Sequence, residues 1–280
     1  MKRILTLIVI FCTAIIIVTG ACPVPKNNCK NIEITKNFNG LYIIKIPKER
    51  NSIIKPYVSK NLIYNKDVFA KTGAELVINA GYFDPNNQKT SSYVVIDGET
   101  VLDPTTNKSL MENKVLQPYL KTILNRTEFR VLSCGNQTKY DIAAHYTKPH
   151  HGCKIVHSIQ AGPMLYPDLR LSREYFVTKD EDGNVTRDSI SALKRCARTV
   201  IGIKNGDIYI IIANMYHKRT LPEMYKVCKQ LKLDKAMNFD GGGSTSLNYK
   251  GTGNTEYKNF EIISDKKASA RKLKSFLVIE

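Results

Sequence analysis

The sequence predicts an α+β fold, built from mixed, mostly antiparallel sheets flanked by a few helices. Short runs of β-branched and aromatic residues, which favour strands, recur along the chain. Segments with helical periodicity are few and scattered. The regular strand–helix alternation of a doubly wound α/β fold is absent except between residues 208 and 239. The 280 residues suit one large domain or two small ones, and no internal repeat is visible. We expect a single domain over residues 38–280.

The first 21 residues are predicted to be a signal peptide. Lys2 and Arg3 precede a 15-residue apolar run, Ile4–Val18, which is short for a membrane span of about 20 residues. Small residues follow, so we expect cleavage before Cys22 and export of the chain, either secreted or at the cell surface. A cysteine at that position is also compatible with attachment of a bacterial lipid anchor, although Thr19 stands where the lipobox motif usually has Leu. A lipid on Cys22 would be the only expected membrane contact after cleavage. Residues 22–37 are polar and form a predicted lead-in.

The net charge of +17 favours negatively charged partners such as phosphates and anionic glycans. The basic residues are scattered, with no run of five or more and no nucleic-acid-binding motif. We therefore expect no nucleic-acid partner.

An even number of cysteines remains once the signal peptide, with Cys12, is removed. An even count in an exported chain favours disulfides, and six cysteines allow 15 connectivities. Pairing of sequence neighbours would give Cys22–Cys29, Cys134–Cys153 and Cys196–Cys228. No C-x-x-C spacing occurs, which argues against a zinc or thioredoxin-like site. The chain also carries glycosylation acceptor sequences at Asn107, Asn125, Asn136 and Asn184.

The first half of the chain alternates strands with short helices. Its predicted strands cover residues 41–46, 75–79, 92–96, 100–102 and 128–132. Helices are predicted at 65–71, before the stop signal Thr72-Gly73, and at 117–124. Asp97-Gly98 between two strands is a hairpin turn signal.

The second half begins with a section, residues 134–192, that is predicted to be rich in loops, including an exposed acidic turn at 180–184. Asn205-Gly206 between two β-branched runs then predicts a hairpin of strands 199–203 and 208–213. Thr220 fits the N-cap of a helix, with Glu223 at the third position of a capping box. Further strands are predicted at 235–239, 246–249 and 274–279.

The segment Asn238–Thr245 is the strongest candidate site. Its three successive glycines allow close approach of a ligand to the backbone, and their N–H groups can form an anion-binding nest. Asp240 precedes the glycines, and Ser244 and Thr245 follow them. Such a loop suits a substrate with a phosphate and a group that needs proton transfer. The competing interpretation is a glycine turn in which Asp240 only caps the loop.

Several segments resemble, in order, the motifs of the phosphodiester glycosidase family. They are Ile78–Asp84, Gln160–Pro163, Arg198–Gly202, Leu221–Glu223, Asn238–Thr245 and the closing strand Arg271–Ile279. The resemblance covers residues 75–280. Ala80 departs from it, because the family usually has Gly there; its methyl group would narrow the site or reshape a turn.

The resemblance implies an exported hydrolase that cleaves a sugar-1-phosphodiester of a phosphorylated carbohydrate or glycoconjugate. Arg198 and the nest would hold the phosphate, while Asp240 and Glu223 share the acid–base work, with Asp84 in reserve. The residues implied in substrate binding are Asn79, Gly81, Gln160, Gly162, Thr199, Asn238, Gly241, Gly242, Gly243, Ser244 and Thr245.

Structural interpretations compete with several of these roles. The capping box alone explains Glu223, Asn79 suits a turn, and Arg198 could be a strand-end surface residue. No cofactor is firmly expected, although Asp240 and backbone oxygens could bind a divalent cation. The five histidines form no H-E-x-x-H or H-x-x-x-H pair. The alternative functions are a non-catalytic glycan- or cell-surface-binding module on the same fold, and a phosphodiesterase that cleaves the P–O bond.

Overall fold

The computed structural model describes residues 31–37, 39–251, 257–264 and 270–280. The predicted signal peptide and the Cys22–Cys29 pair lie outside these ranges. The described chain forms three sheets and a separate hairpin, and each pair of named strands is antiparallel. The predicted α+β class with mostly antiparallel sheets is therefore confirmed. No helix in the described ranges has the length and apolar character needed to cross a membrane.

The first sheet has six strands and carries part of the candidate site. Its strands are β1 (Glu33–Lys36), β2 (Tyr42–Ile46), β10 (Met164–Tyr166), β13 (Arg198–Lys204), β14 (Asp207–Ala213) and β15 (Lys235–Asn238). Their spatial order is β1-β2-β14-β13-β15-β10. Strand β1 lies within the predicted polar lead-in, and the preceding Ile32 is fully buried. The folded part thus extends before residue 38; β1 was missed because three of its four side chains are exposed at the sheet edge.

The second sheet has five strands and contributes another part of the site. Its strands are β3 (Ile54–Ile63), β4 (Leu76–Asn79), β16 (Ser246–Lys250), β17 (Asn259–Ile263) and β18 (Leu273–Ile279). Their order is β17-β16-β4-β18-β3. The sequence did not predict β3, which contains Pro56 and two lysines. An edge strand tolerates proline and polar residues because one side has no partner strand.

The third sheet also has five strands. They are β5 (Val94–Ile96), β6 (Glu99–Leu102), β7 (Thr127–Cys134), β8 (Gln137–Ala144) and β9 (Cys153–Gln160), in the order β6-β5-β9-β7-β8. A separate hairpin joins β11 (Val177–Lys179) and β12 (Val185–Asp188). More than half of residues 134–192 lie outside strands and helices, so the section is rich in loops as predicted, but it also contains β8 to β12, which the sequence did not predict. These strands carry many polar side chains on faces that are exposed or hydrogen-bonded, so their apolar signal is weak.

The described ranges contain four helices, α1 (Asn65–Thr72), α2 (Lys108–Met111), α3 (Leu120–Leu124) and α4 (Leu221–Gln230). The two longer helices, α1 and α4, cover the outer faces of the sheets. Shorter 3-10 turns occupy Lys48–Arg50, Pro104–Thr106, Gln117–Tyr119 and Gly242–Ser244. Helix α4 begins with the predicted capping box at Thr220. It packs Met224 and Cys228 against the six-stranded sheet, while α1 packs Val68 against the second sheet.

A central core lies between the three sheets and fixes their relative positions. Alternate residues of β13 face opposite sides: Ile201 and Ile203 join this core, whereas Val200 packs under α4. The hairpin between β13 and β14 turns at Asn205 and Gly206 with positive φ at both residues, as the Asn-Gly signal predicts. The ends of β4, β13 and β15 meet at the rim of this core.

One predicted disulfide is confirmed and another is wrong. Cys134 and Cys153 are bonded, and they stand directly opposite each other on β7 and β9. Cys196 and Cys228 are both free. Their pairing fails because Cys228 lies in the buried face of α4, whereas Cys196 lines a pocket on the β13 side.

Candidate active site

A pocket of about 300 Å³ opens where the first two sheets meet. It contains the predicted Asp240 loop together with residues from four other segments. Its lining residues are Tyr82, Phe83, Pro85, Ser189, Ile190, Ser191, Cys196, Arg198, Asn238, Asp240, Gly241, Gly242, Gly243 and Arg271. Asp240 is the only carboxylate among the described residues that line the pocket.

The backbone of Asp240 is held by the second sheet. Its N–H donates to Ala80 O (2.8 Å), and its carbonyl accepts from Asn79 Nδ2 (2.6 Å). Asn79 Oδ1 in turn accepts from Thr199 Oγ1 (2.8 Å) and Ser246 N (3.0 Å). Asn79 and Thr199, both predicted to bind substrate, are thus buried in a network that positions Asp240. The Ala80 methyl group lies in the central core.

The Asp240 carboxyl group sits in surroundings that favour its protonated form. Burial raises its pKa from 3.8 to about 6, although hydrogen bonds from Ser244 and the Gly241 N–H and the charges of Arg271 and Arg198 act in the opposite direction. The Gly241 N–H lies 2.9 Å from Oδ1. A carboxyl group with a pKa near 6 can both accept and release a proton close to neutral pH.

Two of the three glycine N–H groups in the loop already donate hydrogen bonds within the protein. Besides the Gly241 N–H on Asp240, the Gly242 N–H donates to Ala197 O (2.8 Å). Gly243 therefore offers the remaining glycine N–H to a ligand, fewer than the three-donor nest expected from the sequence. Gly242 has a φ of +59°, and a Cβ at Gly241 would lie 2.9 Å from Ala197 O. These two glycines are required by the shape of the loop.

Arg198 is buried and is directed at backbone carbonyls. Its Nε donates to Arg219 O (2.9 Å), Nη1 to Ile190 O (3.2 Å), and Nη2 to Ser191 O (2.5 Å) and Lys194 O (2.9 Å). One N–H of the five is left, so the predicted bidentate grip on phosphate does not fit this arrangement. Arg198 instead holds the 190–194 segment against the pocket, and its charge still acts on Asp240.

Arg271 is the exposed cation of the pocket. Its Nη1 lies 3.4 Å from Ser244 Oγ, and it has no ion pair with a residue in the described ranges. The sequence placed Arg271 in a family motif but gave it no role. Its position makes it a better candidate than Arg198 for contact with a substrate phosphate.

Tyr82 and Asn238 form a polar wall of the pocket. The Tyr82 hydroxyl donates to Gly162 O (2.8 Å) and accepts from Asn238 Nδ2 (3.0 Å). Burial raises the pKa of Tyr82, which keeps the hydroxyl protonated. Asn238 Oδ1 is buried and has no hydrogen-bond partner among the described residues. Tyr82 lay in a recognised motif, but the sequence did not indicate its orientation.

The other predicted binding residues support the pocket from outside it. Gln160 is buried, and its Nε2 donates to Leu124 O (2.8 Å) and Arg126 O (3.2 Å). The Gly81 N–H donates to Ser275 Oγ (3.2 Å). Ser244 and Thr245 are fully buried, and Thr245 Oγ1 lies 3.3 Å from Thr199 Oγ1. These residues fix the loops around Asp240 and do not line the pocket.

The structure does not bring Glu223 to Asp240. The Thr220 N–H donates to Glu223 Oε2 (2.7 Å), the Glu223 N–H donates to Thr220 Oγ1 (3.1 Å), and Arg195 pairs with the same carboxylate. Glu223 is absent from the pocket lining, as is Asp84, whose Oδ1 accepts from Asn86 N (2.8 Å). The structural interpretation of Glu223 therefore accounts for all its contacts.

Replacing Glu223 with Ala should affect stability rather than catalysis. Loss of the Glu223 half of the capping box should lower the free energy of unfolding by about 1 kcal/mol, because the Thr220 N–H at the start of α4 loses its partner. Turnover should stay within about twofold of wild type, since the side chain does not reach the pocket. Urea denaturation and steady-state kinetics measure the two effects. Glu223→Gln, which can still form the capping box, is the control. A loss of activity in both variants would show that Glu223 takes part in catalysis.

A metal site is not evident in the described part of the chain. No three His, Cys, Asp or Glu side chains there come close enough to hold an ion. The histidines have other contacts: His145 Nδ1 lies 2.6 Å from Glu128, and His217 Nδ1 lies 3.1 Å from Asn214 Oδ1.

Comparison with known proteins places this pocket in a family context. The family model for phosphodiester glycosidase matches residues 72–280. No curated protein matches the sequence significantly. The fold is similar to the catalytic domain of zebrafish N-acetylglucosamine-1-phosphodiester alpha-N-acetylglucosaminidase, a structure auto-inhibited by its pro-peptide (TM-score 0.56, 14% identity, 89% of this chain and 81% of that chain). A hypothetical protein from Synechocystis is similarly related (TM-score 0.56, 14% identity, 89% of this chain), and the match spans only 61% of that chain. At these identities the structural likeness shows the fold alone.

Proposed function

The chain belongs to the phosphodiester glycosidase family, and from this premise we propose that it hydrolyses a sugar-1-phosphodiester in the Asp240 pocket. The observation that carries the proposal is a carboxyl group at a glycine loop in a pocket, where burial raises its pKa to about 6, with the cation Arg271, which has no ion pair among the described residues, beside it. A phosphorylated glycoconjugate fits both this pocket and the basic character of the chain. We further infer that the protein acts outside the cytoplasm, on the basis of its predicted signal peptide.

The proposed reaction breaks the bond between the anomeric carbon and the phosphate oxygen. Water supplies the oxygen that ends on the sugar, and the ionised Asp240 takes the proton that water loses. The bonding electron pair leaves with the phosphate, which departs as an anionic monoester and needs no proton. One carboxylate is therefore sufficient, which agrees with the absence of Glu223 from the pocket. Arg271 and the Gly243 N–H would stabilise charge on the departing phosphate.

The direct test is hydrolysis of a small panel of sugar-1-phosphodiesters by the secreted chain, with and without EDTA. Free sugar should be released, and in ¹⁸O-water the label should appear on the sugar. Label on the phosphate would instead indicate P–O cleavage. Binding of the panel without turnover of any member would favour a non-catalytic binding module. Loss of activity in EDTA, restored by added divalent cation, would reveal a metal requirement.

Activity should rise with pH through the titration of Asp240. The folded-state pKa lies near 6, above the ordinary value of 3.8, so the carboxylate proposed as base is mostly protonated at pH 5 and ionised at pH 7. We expect kcat/KM to increase about tenfold between pH 5 and pH 7, because it reports the free enzyme. A pH–rate profile between pH 4 and 9 measures this. A profile that falls over the same range would show that the protonated carboxyl group is the active form.

A further inference from the structure

A second pocket of about 230 Å³ adjoins the Asp240 pocket. The two share Tyr82, Ser189 and Ile190 in their walls, so they lie next to each other. The second pocket adds the apolar side chains Leu110, Leu116, Ile123 and Phe176 and two arginines, Arg126 and Arg187. No carboxylate of the described residues lines it, although the charge of the neighbouring Glu174 acts on Arg126. Two cations in the walls of a largely apolar pocket that has no carboxylate of its own are unusual, because buried charges are normally paired directly.

Arg126 is the buried member of the pair, with only 8% of its surface exposed. Its Nε donates to Glu174 O (3.0 Å) and one Nη2 hydrogen to Tyr175 O (3.3 Å), while the guanidinium lies 3.8 Å above the Phe176 ring. Both Nη1 hydrogens and one on Nη2 have no acceptor in the described ranges. The Glu174 carboxylate does not neutralise it through direct contact, because it accepts from Thr127 and from Met164 N.

Arg187 approaches the same space from the β12 strand. Its guanidinium lies 4.8 Å from the centre of the Tyr175 ring, and its Nε is 3.4 Å from Tyr175 O. It has no ion pair in the described part of the structure. Its positive charge repels that of Arg126 and so lowers the pKa of Arg126. The fold thus holds two like charges close together, at an energetic cost that an anionic ligand would remove.

We propose that this second pocket is an anion subsite that binds a second negatively charged group of the substrate, a carboxylate, sulfate or phosphate. The inference rests on the proposed function of the neighbouring pocket, since it places one ligand across both. Guanidinium groups recognise such anions through paired N–H donors, and the apolar walls strengthen the attraction by excluding water. The subsite would make the enzyme prefer substrates with two anionic groups over those with the diester alone.

Binding measurements can test the subsite without any turnover. Isothermal titration of wild type with glucose 1-phosphate and with glucose 1,6-bisphosphate compares one anionic group with two on the sugar. A parallel pair of non-hydrolysed diester analogues, with and without a carboxylate on the alcohol side, tests the other source of the second anion. We expect at least about tenfold tighter binding for the doubly anionic member of one pair, which corresponds to about 1.4 kcal/mol.

Two variants connect this preference to the arginines. Arg187→Gln should remove the preference and leave the affinity for glucose 1-phosphate unchanged; Arg126→Lys, which keeps the buried charge, should weaken it. Arg173→Gln is the charge-matched control, because Arg173 is exposed and pairs with Asp168. The proposal is overturned if neither pair shows a preference, or if Arg187→Gln and Arg173→Gln alter it equally. Failure to hydrolyse any diester would reject the proposed reaction, whereas an Arg187-dependent preference would still establish the subsite.

Discussion

Replacing Asp240 with Asn should reduce kcat/KM for a sugar-1-phosphodiester by about a thousandfold or more, while the protein remains folded. Loss of a positioned acid or base typically costs a factor of 10² to 10⁴. Asn keeps the size of the side chain and can still accept from the Gly241 N–H, so the loop should retain its shape. Steady-state release of free sugar measures the loss. Activity within about tenfold of wild type would exclude Asp240 as the catalytic group.

The same variant has a distinctive effect on stability. The folded-state pKa of Asp240 is raised to about 6, so protonation stabilises the fold, and this contribution is lost as pH rises through 6. Above that pH the ionised carboxylate is held at an energetic cost, which Asn does not have. Asp240→Asn should therefore be as stable as wild type, or more stable, at pH 8. The comparison by thermal unfolding at pH 4 and pH 8 also serves as the folding control. Lower stability of the variant at pH 8 would mean that Asp240 mainly caps the loop.

Much of the fold could be predicted because local signals and tertiary packing agree. The Asn205-Gly206 turn lies between two strands that are buried on both faces, and the Thr220 capping box begins a helix whose apolar face packs on the sheet. Strands β3 and β10 escaped prediction because their pairing partners, β18 and β15, are distant in sequence. Strands β8, β11 and β12 have partners nearby in sequence, but their polar side chains weaken the alternating apolar pattern, and the backbone hydrogen bonds that hold them in the sheet are not visible in a single sequence.

The position of the candidate site was easier to predict than the role of each residue. The Asp240 loop, Asn79 and Arg198 do converge, as the order of the motifs implied. However, a polar residue in a motif can be directed either at a ligand or at a buried backbone group, and its type does not distinguish the two. Asn79 and Gln160 make structural hydrogen bonds, whereas Tyr82 and Arg271 face the pocket. That distinction depends on the direction of side chains, which only the packed structure determines.

Arg198 gives the largest expected effect on stability. Replacing it with Met should lower the free energy of unfolding by about 3 kcal/mol or more, because four buried or partly buried carbonyl groups lose their donors at once. Met has a similar length but no hydrogen-bond donor, so the apolar part of the packing is retained. Urea denaturation at neutral pH measures the change. Arg173→Met, at an exposed surface position, should change stability by less than about 0.5 kcal/mol.

The same experiment separates the two interpretations of Arg198. A residue that holds the 190–194 segment should lose stability when replaced, and turnover should fall because Ser191 and Cys196 line the pocket that it supports. A direct phosphate ligand should instead raise KM with little change in unfolding. If Arg198→Met unfolds within about 1 kcal/mol of wild type and raises KM tenfold or more, Arg198 contacts the substrate. The four carbonyl contacts favour the first outcome, because a guanidinium that rearranged to bind phosphate would leave them unpaired on the wall of the pocket.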